Sequence, residues 1–356
     1  MKNLNEINMI RAFACLSVVY NHVLTNYAKF AETVFTETPV FLAIRYLFLF
    51  ATPVFILISI TLLSRNYPDK LPKGFLWKRV QYILVPYVLI GLFSAYITSL
   101  QSGAGFLETA WNIVGLGDWH GFFILVIFQF YLLYYALNRF LRRINPLAAL
   151  AAAFAVSFAH LYALEHHELY RQFIFEGYPL WYRTFILAWL FYFVAGFYIG
   201  IYYGQICAFL ANKIWLPVLA AVLSFGWIYH NASIAGYTLV SSDRYDMFFY
   251  TLSVYFLLTV LFRKLKKPRP LLEVISSFSF FIYLSHMIFI LALGRIVKVF
   301  EDSFILYTGS LLLFTAGICV GVGALLYLYR WSQWITGRNR LMDRMLVKAQ
   351  IEKTAE

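Results

Sequence analysis

Residues 10–22 read I-R-A-F-A-C-L-S-V-V-Y-N-H. The apolar run around them, 7–27, has the roughly 20 residues that a helix needs to cross a bilayer core. It nevertheless carries an arginine near one end and a histidine near the other. Its length, the internal arginine and the lack of a small-residue cleavage site after a short core mark it as a retained span and not a removable signal.

The rest of the chain repeats this pattern. Of 356 residues, 62% are hydrophobic, 20% aromatic and only 13% charged, and the mean hydropathy is +0.71. That is far more apolar than a soluble surface allows. Runs of spanning length give about ten helices, near 7–27, 40–63, 80–100, 120–137, 146–163, 181–203, 214–230, 246–262, 273–297 and 304–329. The expected fold is all-α: a polytopic membrane bundle with both termini cytoplasmic.

The sidedness follows from the basic residues. A net charge of +12 would suit a nucleic-acid partner if the cations formed one patch. Instead roughly 21 of the 29 fall in alternate connections, the positive-inside pattern of an N-in, C-in protein. These include Lys2, Arg65, Lys73, Lys78, Arg79, Arg142, Arg263, Lys264, Lys266, Lys267, Arg340, Lys348 and Lys353. The charge is topology, and a nucleic-acid role drops out. Cys15, Cys207 and Cys319 are scattered through apolar runs, which excludes a disulfide framework and a Cys-rich metal site.

No hydrophilic block is long enough to fold alone, so one transmembrane domain covers 1–329. A cytoplasmic amphipathic tail, 330–356, is anchored by Trp331 and Trp334. Gly196, Gly200 and Gly204, four residues apart, make a small-residue stripe for close helix packing. The longest outward segments are about 101–119 and 164–180, with aromatic and weakly polar sequences suited to a lid or a glycan-facing surface. His160, Glu165, His166, His167 and Glu168 match no metal-ligand spacing and read as a solvated outer loop.

Ionisable side chains inside spans are costly in lipid and usually face a bundle interior or an aqueous cavity. Here they are Arg11, His22, Arg45, His120, Glu273, His286 and Arg295. Arg11 and His22 are eleven positions apart, about 1100° of helical rotation, which puts them on one face and about 16 Å apart along the axis. Arg11 can snorkel to headgroups or face a ligand, whereas His22 is too deep to snorkel. His120 and Asp118 fit either an outer headgroup layer or a site. Gln129 is mid-span and needs a partner, so it points inward. Ser279, Tyr283 and His286 fall on one helical face, with His286 at the depth of His22, which suggests one shared cavity.

These motifs resemble those of the acyltransferase 3 family of membrane O-acyltransferases. The Arg-x10-His signature stands as Arg11 and His22. T-P-V-F-I-L-I-S-I (52–60) resembles the family's second span, and F-L-W-K-R-V-Q-Y-I-L-V-P-Y (75–87) its basic entry to the third. W-H-G-F-F-I-L-V-I-F-Q-F-Y-L-L (119–133) and S-F-S-F-F-I-Y-L-S-H (277–286) resemble its two later histidine blocks. The sequence departs from the family pattern at three points: no glycine follows Ser59, Phe122 stands where tryptophan is usual, and Met287 where proline is common.

The resemblance is nearest the branch associated with surface polysaccharide, some members of which have been described as exporters. It implies a bacterial cytoplasmic-membrane enzyme moving a short acyl group, acetyl or succinyl, from cytosolic acyl-CoA to an extracytoplasmic carbohydrate or glycolipid hydroxyl. No other cofactor is implied and no metal. His22, Arg11 and His286 become the catalytic candidates. His120, Gln129, Tyr131, Tyr283, Ser279 and Arg45 become substrate-binding ones, and Lys78 and Arg79 donor-binding ones. His22 acts either as general base or through an acyl-histidine. A polysaccharide exporter or flippase using the same polar cavity is the competing expectation.

Overall fold

The computed structural model describes residues 5–30, 34–68, 70–265, 269–339 and 341–346. Among them every regular element is helical. The principal helices are α1 (Asn5–Phe30), α2 (Pro39–Leu47), α3 (Ala51–Asn66), α4 (Phe75–Ser102), α5 (Phe106–Ala110), α6 (Phe123–Leu141) and α7 (Pro146–His166). They continue with α8 (Glu168–Gly177), α9 (Leu190–Ile201), α10 (Tyr203–Leu210), α11 (Trp215–Ser233), α12 (Met247–Lys264), α13 (Pro270–Val297) and α14 (Phe304–Tyr327).

Each of the ten expected spans overlaps a helix. Among the described residues eight helices are long and apolar enough to cross a membrane, or nine if the bent pair α9–α10 is one span. α11 is the tenth run, and His230, Asn231 and Ser233 at its end dilute its apolar character. Local chemistry sets several starts. Thr38 caps α2 by accepting from Phe41 N at 3.2 Å. Asn145 caps α7 from Leu147 and Ala148 N, and proline opens α2, α7 and α13, where its missing N–H costs nothing.

One span, 181–203, differs from the simple reading. Residues 181–189 are two 3-10 turns preceding α9, which then breaks by 85° at Tyr202. Protein partners take up this irregular backbone, as burial in an apolar phase requires. Trp181 N donates to Leu116 O at 2.8 Å, Trp189 Nε1 to Arg183 O at 2.9 Å and Gln129 Nε2 to Thr184 O at 3.0 Å. The break also divides the glycine stripe. A Cβ on Gly200 would lie 2.5 Å from the Thr61 carbonyl oxygen, and one on Gly196 3.2 Å from that of Leu57, so these two let α9 press onto α3. Gly204, beyond the bend, has nothing within 4 Å.

The expected solvated cluster around 160–168 is corrected in one respect. His160 is a buried residue of α7, its Nδ1 2.8 Å from Tyr170 OH, because α7 runs on to His166 and α8 folds back beside it. His166 and His167 are exposed.

α1 lies at the centre, packed chiefly along α13 and touching α3, α12 and α14. One end of the bundle gathers Glu6, Arg65, Tyr203 and Arg263: Tyr203 OH donates to Glu6 at 3.0 Å, Arg263 pairs with Glu6 at 3.5 Å, and Arg65 stacks on Tyr203. The described part of the tail is a set of short helical turns interrupted at Gly337, with Trp331 and Trp334 exposed. Lys2, Lys266, Lys267, Arg340, Lys348 and Lys353 lie outside the described residues.

Candidate active site

α1 and α13 run parallel and in register. Cys15 Sγ donates to Ser279 O at 3.6 Å, and seven residues further along both helices the rings of His22 and His286 are 5.0 Å apart, centre to centre. Beyond them, Tyr307 OH of α14 donates to Asn26 Oδ1 at 2.7 Å and clamps the same seam.

A third histidine enters from the chain start of α6. His120 sits in the 3-10 turn His120–Phe122, its ring 4.9 Å from that of His286 and 6.1 Å from that of His22. The structure thus places its ring beside the other two histidines. α13 holds it twice: Tyr283 OH donates to the His120 carbonyl, and His120 Nε2 meets Leu284 O at 3.1 Å. A carbonyl only accepts, so Nε2 carries the proton and Nδ1 is the acceptor. By the same logic His286 Nδ1, 3.0 Å from Ile282 O, is protonated. Its buried Nε2, a lone-pair acceptor, has no partner among the described residues.

The His22 ring makes no hydrogen bond to a described residue and faces two cavities. The smaller, about 110 Å³, is also lined by Asn21, Thr25, Arg45, Ser241 and Tyr283. The larger, about 550 Å³, is lined by Glu108, Asn112, Asp118, Trp119 and Trp181. Three residues belong to both walls: His22, His120 and Arg183.

Two cations border the smaller cavity. Arg45, near the end of α2, donates from Nη2 to Thr25 Oγ1 at 2.9 Å, and its buried Nε has no partner among the described residues. Arg183 forms a forked pair with Asp243, Nη2 to Oδ1 at 2.8 Å and Nε to Oδ2 at 3.1 Å. Ser241 bridges the same two side chains. The guanidinium stacks on Phe122 at 4.6 Å and on Trp181 at 5.1 Å. The segment carrying Ser241 and Asp243 is fixed by a second pair, Arg244–Asp246 at 2.6 Å, with both side chains fully buried.

The other sequence candidates lie elsewhere. Arg11 is half-buried three turns before His22, with Nη1 3.5 Å from Asn8 Oδ1, and it lines neither cavity. Gln129 tethers the Thr184 carbonyl and so holds the Arg183 turn. Ser279 Oγ donates to Ser276 O at 2.8 Å within its own helix. Tyr131 belongs to the Arg79 end, where the Arg79 guanidinium stacks 4.8 Å over it and 4.7 Å over Phe75. Lys78 is exposed beside them. Glu273 accepts from Arg344 at 3.3 Å, and Arg295 is exposed near the end of α13. Among the described residues no group of three or more His, Cys, Asp or Glu is arranged to hold a metal.

Sequence reasoning missed Arg183, Asp243, Ser241 and Thr25. The one available signal was an arginine beside two aromatics, Trp181 and Tyr182, at the expected start of a span.

Fold and site define a multi-pass membrane protein with a trio of neighbouring histidines, His22 and His120 half-buried at the junction of two cavities and His286 buried beside them. The chain belongs to the acyltransferase 3 family, whose acyltransferase-domain model matches residues 4–330, and is thereby an acyltransferase. It is 35% identical over 342 residues to a probable poly-beta-1,6-N-acetyl-D-glucosamine export protein of Staphylococcus epidermidis, covering 95% of this chain and 96% of that one. A protein of the same description from Staphylococcus aureus strain Mu50 is 31% identical over 344 residues, covering 94% and 96%. No solved structure matches.

Proposed function

We propose that the protein transfers a short acyl group from cytosolic acyl-CoA to a carbohydrate hydroxyl on the outer side of the bacterial cytoplasmic membrane. The observation that carries this reading is that His22 faces both cavities, with no hydrogen bond to a described residue to restrain its ring nitrogens. A base at the meeting point of two compartments can serve a donor in one and an acceptor in the other.

With the positive-inside assignment, the end holding Lys73, Lys78, Arg79 and Arg263 is cytosolic and suits the phosphates of the donor. Arg11 lies between that end and His22, consistent with a donor arm passing it. The small cavity favours an acetyl-sized group over a long chain. His22 takes the proton of the acceptor hydroxyl as its oxygen attacks the thioester carbonyl. The tetrahedral oxyanion then collapses, the C–S bond breaks, and the His22 proton passes to the departing thiolate.

Oxyanion stabilisation falls to Arg45, whose Nε–H is uncommitted, and to Arg183. Tyr283 and Gln129 already donate to carbonyls, and His286 Nε2 is an acceptor. His286 suits the role of receiving the second N–H of a His22 imidazolium. The names of the relatives favour a second reading, export of the polymer itself through the larger cavity.

Purified protein in vesicles, given labelled acetyl-CoA and a β-1,6-linked N-acetylglucosamine oligosaccharide, distinguishes the two. Label on the sugar, lost with His22→Ala while membrane insertion persists, supports transfer. Passage of sugar across the vesicle wall with no label attached supports export and overturns it.

A further inference from the structure

Resting on the transferase reading, we propose that the larger cavity is the acceptor subsite and that it takes a pyranose ring. Its mouth is polar and its floor aromatic: Glu108, Asn112 and Asp118 are exposed, Trp181 is half-buried and Trp119 is 8% exposed. Neither carboxylate takes part in an ion pair or a side-chain hydrogen bond among the described residues, so both are available as acceptors. Sugars match this arrangement, because their hydroxyls donate to carboxylates and amides while the C–H face of the ring lies on an indole.

The same charges exclude the donor. A polyphosphate nucleotide is repelled by two carboxylates, so the anionic cofactor and the sugar are sorted to different openings of one site. The volume, about 550 Å³, lies within the roughly 300–1,000 Å³ of small-molecule sites and is five times that of its neighbour, in keeping with a bulky acceptor and a small acyl group.

The walls are built in advance. After α5 the chain widens into a π-helical turn, Trp111–Leu116, a feature frequent at functional sites. Tyr87 OH lies 3.2 Å from both the Ile113 and Val114 carbonyl oxygens that this turn leaves free. Gly117 at φ 80° then reverses the chain where a Cβ would come within 2.8 Å of Leu125. Asp118 N donates to Asn112 O at 3.0 Å. The Trp181–Leu116 backbone bond joins the two indole-bearing segments, so a ring bound between them reaches His22 and His120 without rearrangement of the backbone.

The test is binding of a β-1,6-linked N-acetylglucosamine pentasaccharide to the full chain in nanodiscs, followed by tryptophan fluorescence and calorimetry. The double variant Glu108→Gln, Asp118→Asn should raise Kd at least about tenfold, because neutral amides accept more weakly than carboxylates. Trp181→Ala should raise it comparably, with partial recovery in Trp181→Phe. Glu168→Gln, an exposed carboxylate outside the cavity, should leave it unchanged. Absence of pentasaccharide binding overturns the proposal, and so does a Kd within twofold of wild type in both the carboxylate pair and Trp181→Ala. If wild type acylates the pentasaccharide and the variants keep its KM, the subsite falls and the transferase reading stands. If the variants weaken binding but wild type transfers no label, the subsite stands and the transferase reading falls.

Discussion

The rings of His22 and His286 lie 5.0 Å apart, one heptad beyond the point where Cys15 meets Ser279. Two parallel helices that touch at one residue pair touch again seven residues later, because seven residues make almost two turns. The packing that brings Cys15 to Ser279 therefore also brings the histidines together, and their contact is a consequence of helix register. His286 hydrogen-bonds its own helix through Nδ1 and leaves Nε2 buried and unpartnered among the described residues beside His22. On the proposed mechanism it is a positioning residue whose effect passes through His22.

This assigns different outcomes to two substitutions. His286→Gln keeps an amide oxygen in the region of Nε2 and should lower kcat by about tenfold. His286→Ala should lower it by about a hundredfold, within the range of general-base contributions. Donor and acceptor KM should stay near wild type in both. Steady-state kinetics with labelled acyl-CoA check the split, and a KM change with constant kcat would make His286 a binding residue instead.

The glycine stripe makes a second prediction, in which two residues of one sequence pattern behave oppositely. Gly200→Val drives a side chain into the Thr61 carbonyl, 2.5 Å from where its Cβ would sit, and backbone cannot rotate aside. Overpacking of this kind costs about 1–3 kcal/mol and should lower Tm in detergent. Gly204→Val, in open space, should change stability by less than about 0.5 kcal/mol. Equal losses would mean that the bend at Tyr202 does not separate them.

Much of this architecture is legible in the sequence because bilayer crossing imposes long apolar helices, and regular periods carry their own geometry. The Arg11–His22 face and the common depth of His22 and His286 follow from residue counting. Gln129 shows where counting stops. A mid-span amide needs a partner, but nothing in the sequence says that the partner is the carbonyl of Thr184, 55 residues on. Arg183, Asp243 and Ser241 lie in connections without a period, joined only by tertiary packing. The sequence reading reached His22, His286 and the turn residue His120, and missed Thr25 on α1 together with the loop half of the cavity wall, Arg183 and Ser241, and the Asp243 that pairs with Arg183.

That loop half gives a third prediction. Asp243 holds both accepting oxygens of the Arg183 fork, and the fork fixes the guanidinium against Phe122 between the cavities. Arg183→Ala should lower kcat by about 10²–10³, the effect of losing one oxyanion donor. Arg183→Lys should recover little, since an ammonium cannot make the planar fork. Asp243→Asn should fall between wild type and Arg183→Ala, because the guanidinium remains but is less firmly held. An Asp243→Asn loss equal to that of Arg183→Ala would indicate that Asp243 itself touches substrate.

The fourth concerns the pair beneath that segment. Arg244 and Asp246 have no exposed side-chain surface. The guanidinium also donates to the Tyr237 and Leu239 carbonyls at 2.8 and 2.7 Å and stacks 3.9 Å over the Tyr237 ring, while Asp246 accepts from Asn231 at 3.0 Å. Removing one partner leaves a buried charge unmatched, at a cost of about 3–5 kcal/mol, whereas apolar replacement of both is often tolerated. Asp246→Asn should therefore lower Tm more than the double variant Arg244→Met, Asp246→Leu. The double variant still releases the Tyr237 and Leu239 carbonyls, so it should recover stability without full activity, because the 237–243 stretch that presents Ser241 and Asp243 loses its tether. Thermal unfolding in detergent alongside transfer assays separates the two effects. A double variant as active as wild type would show that the knot serves stability alone and has no part in positioning Arg183.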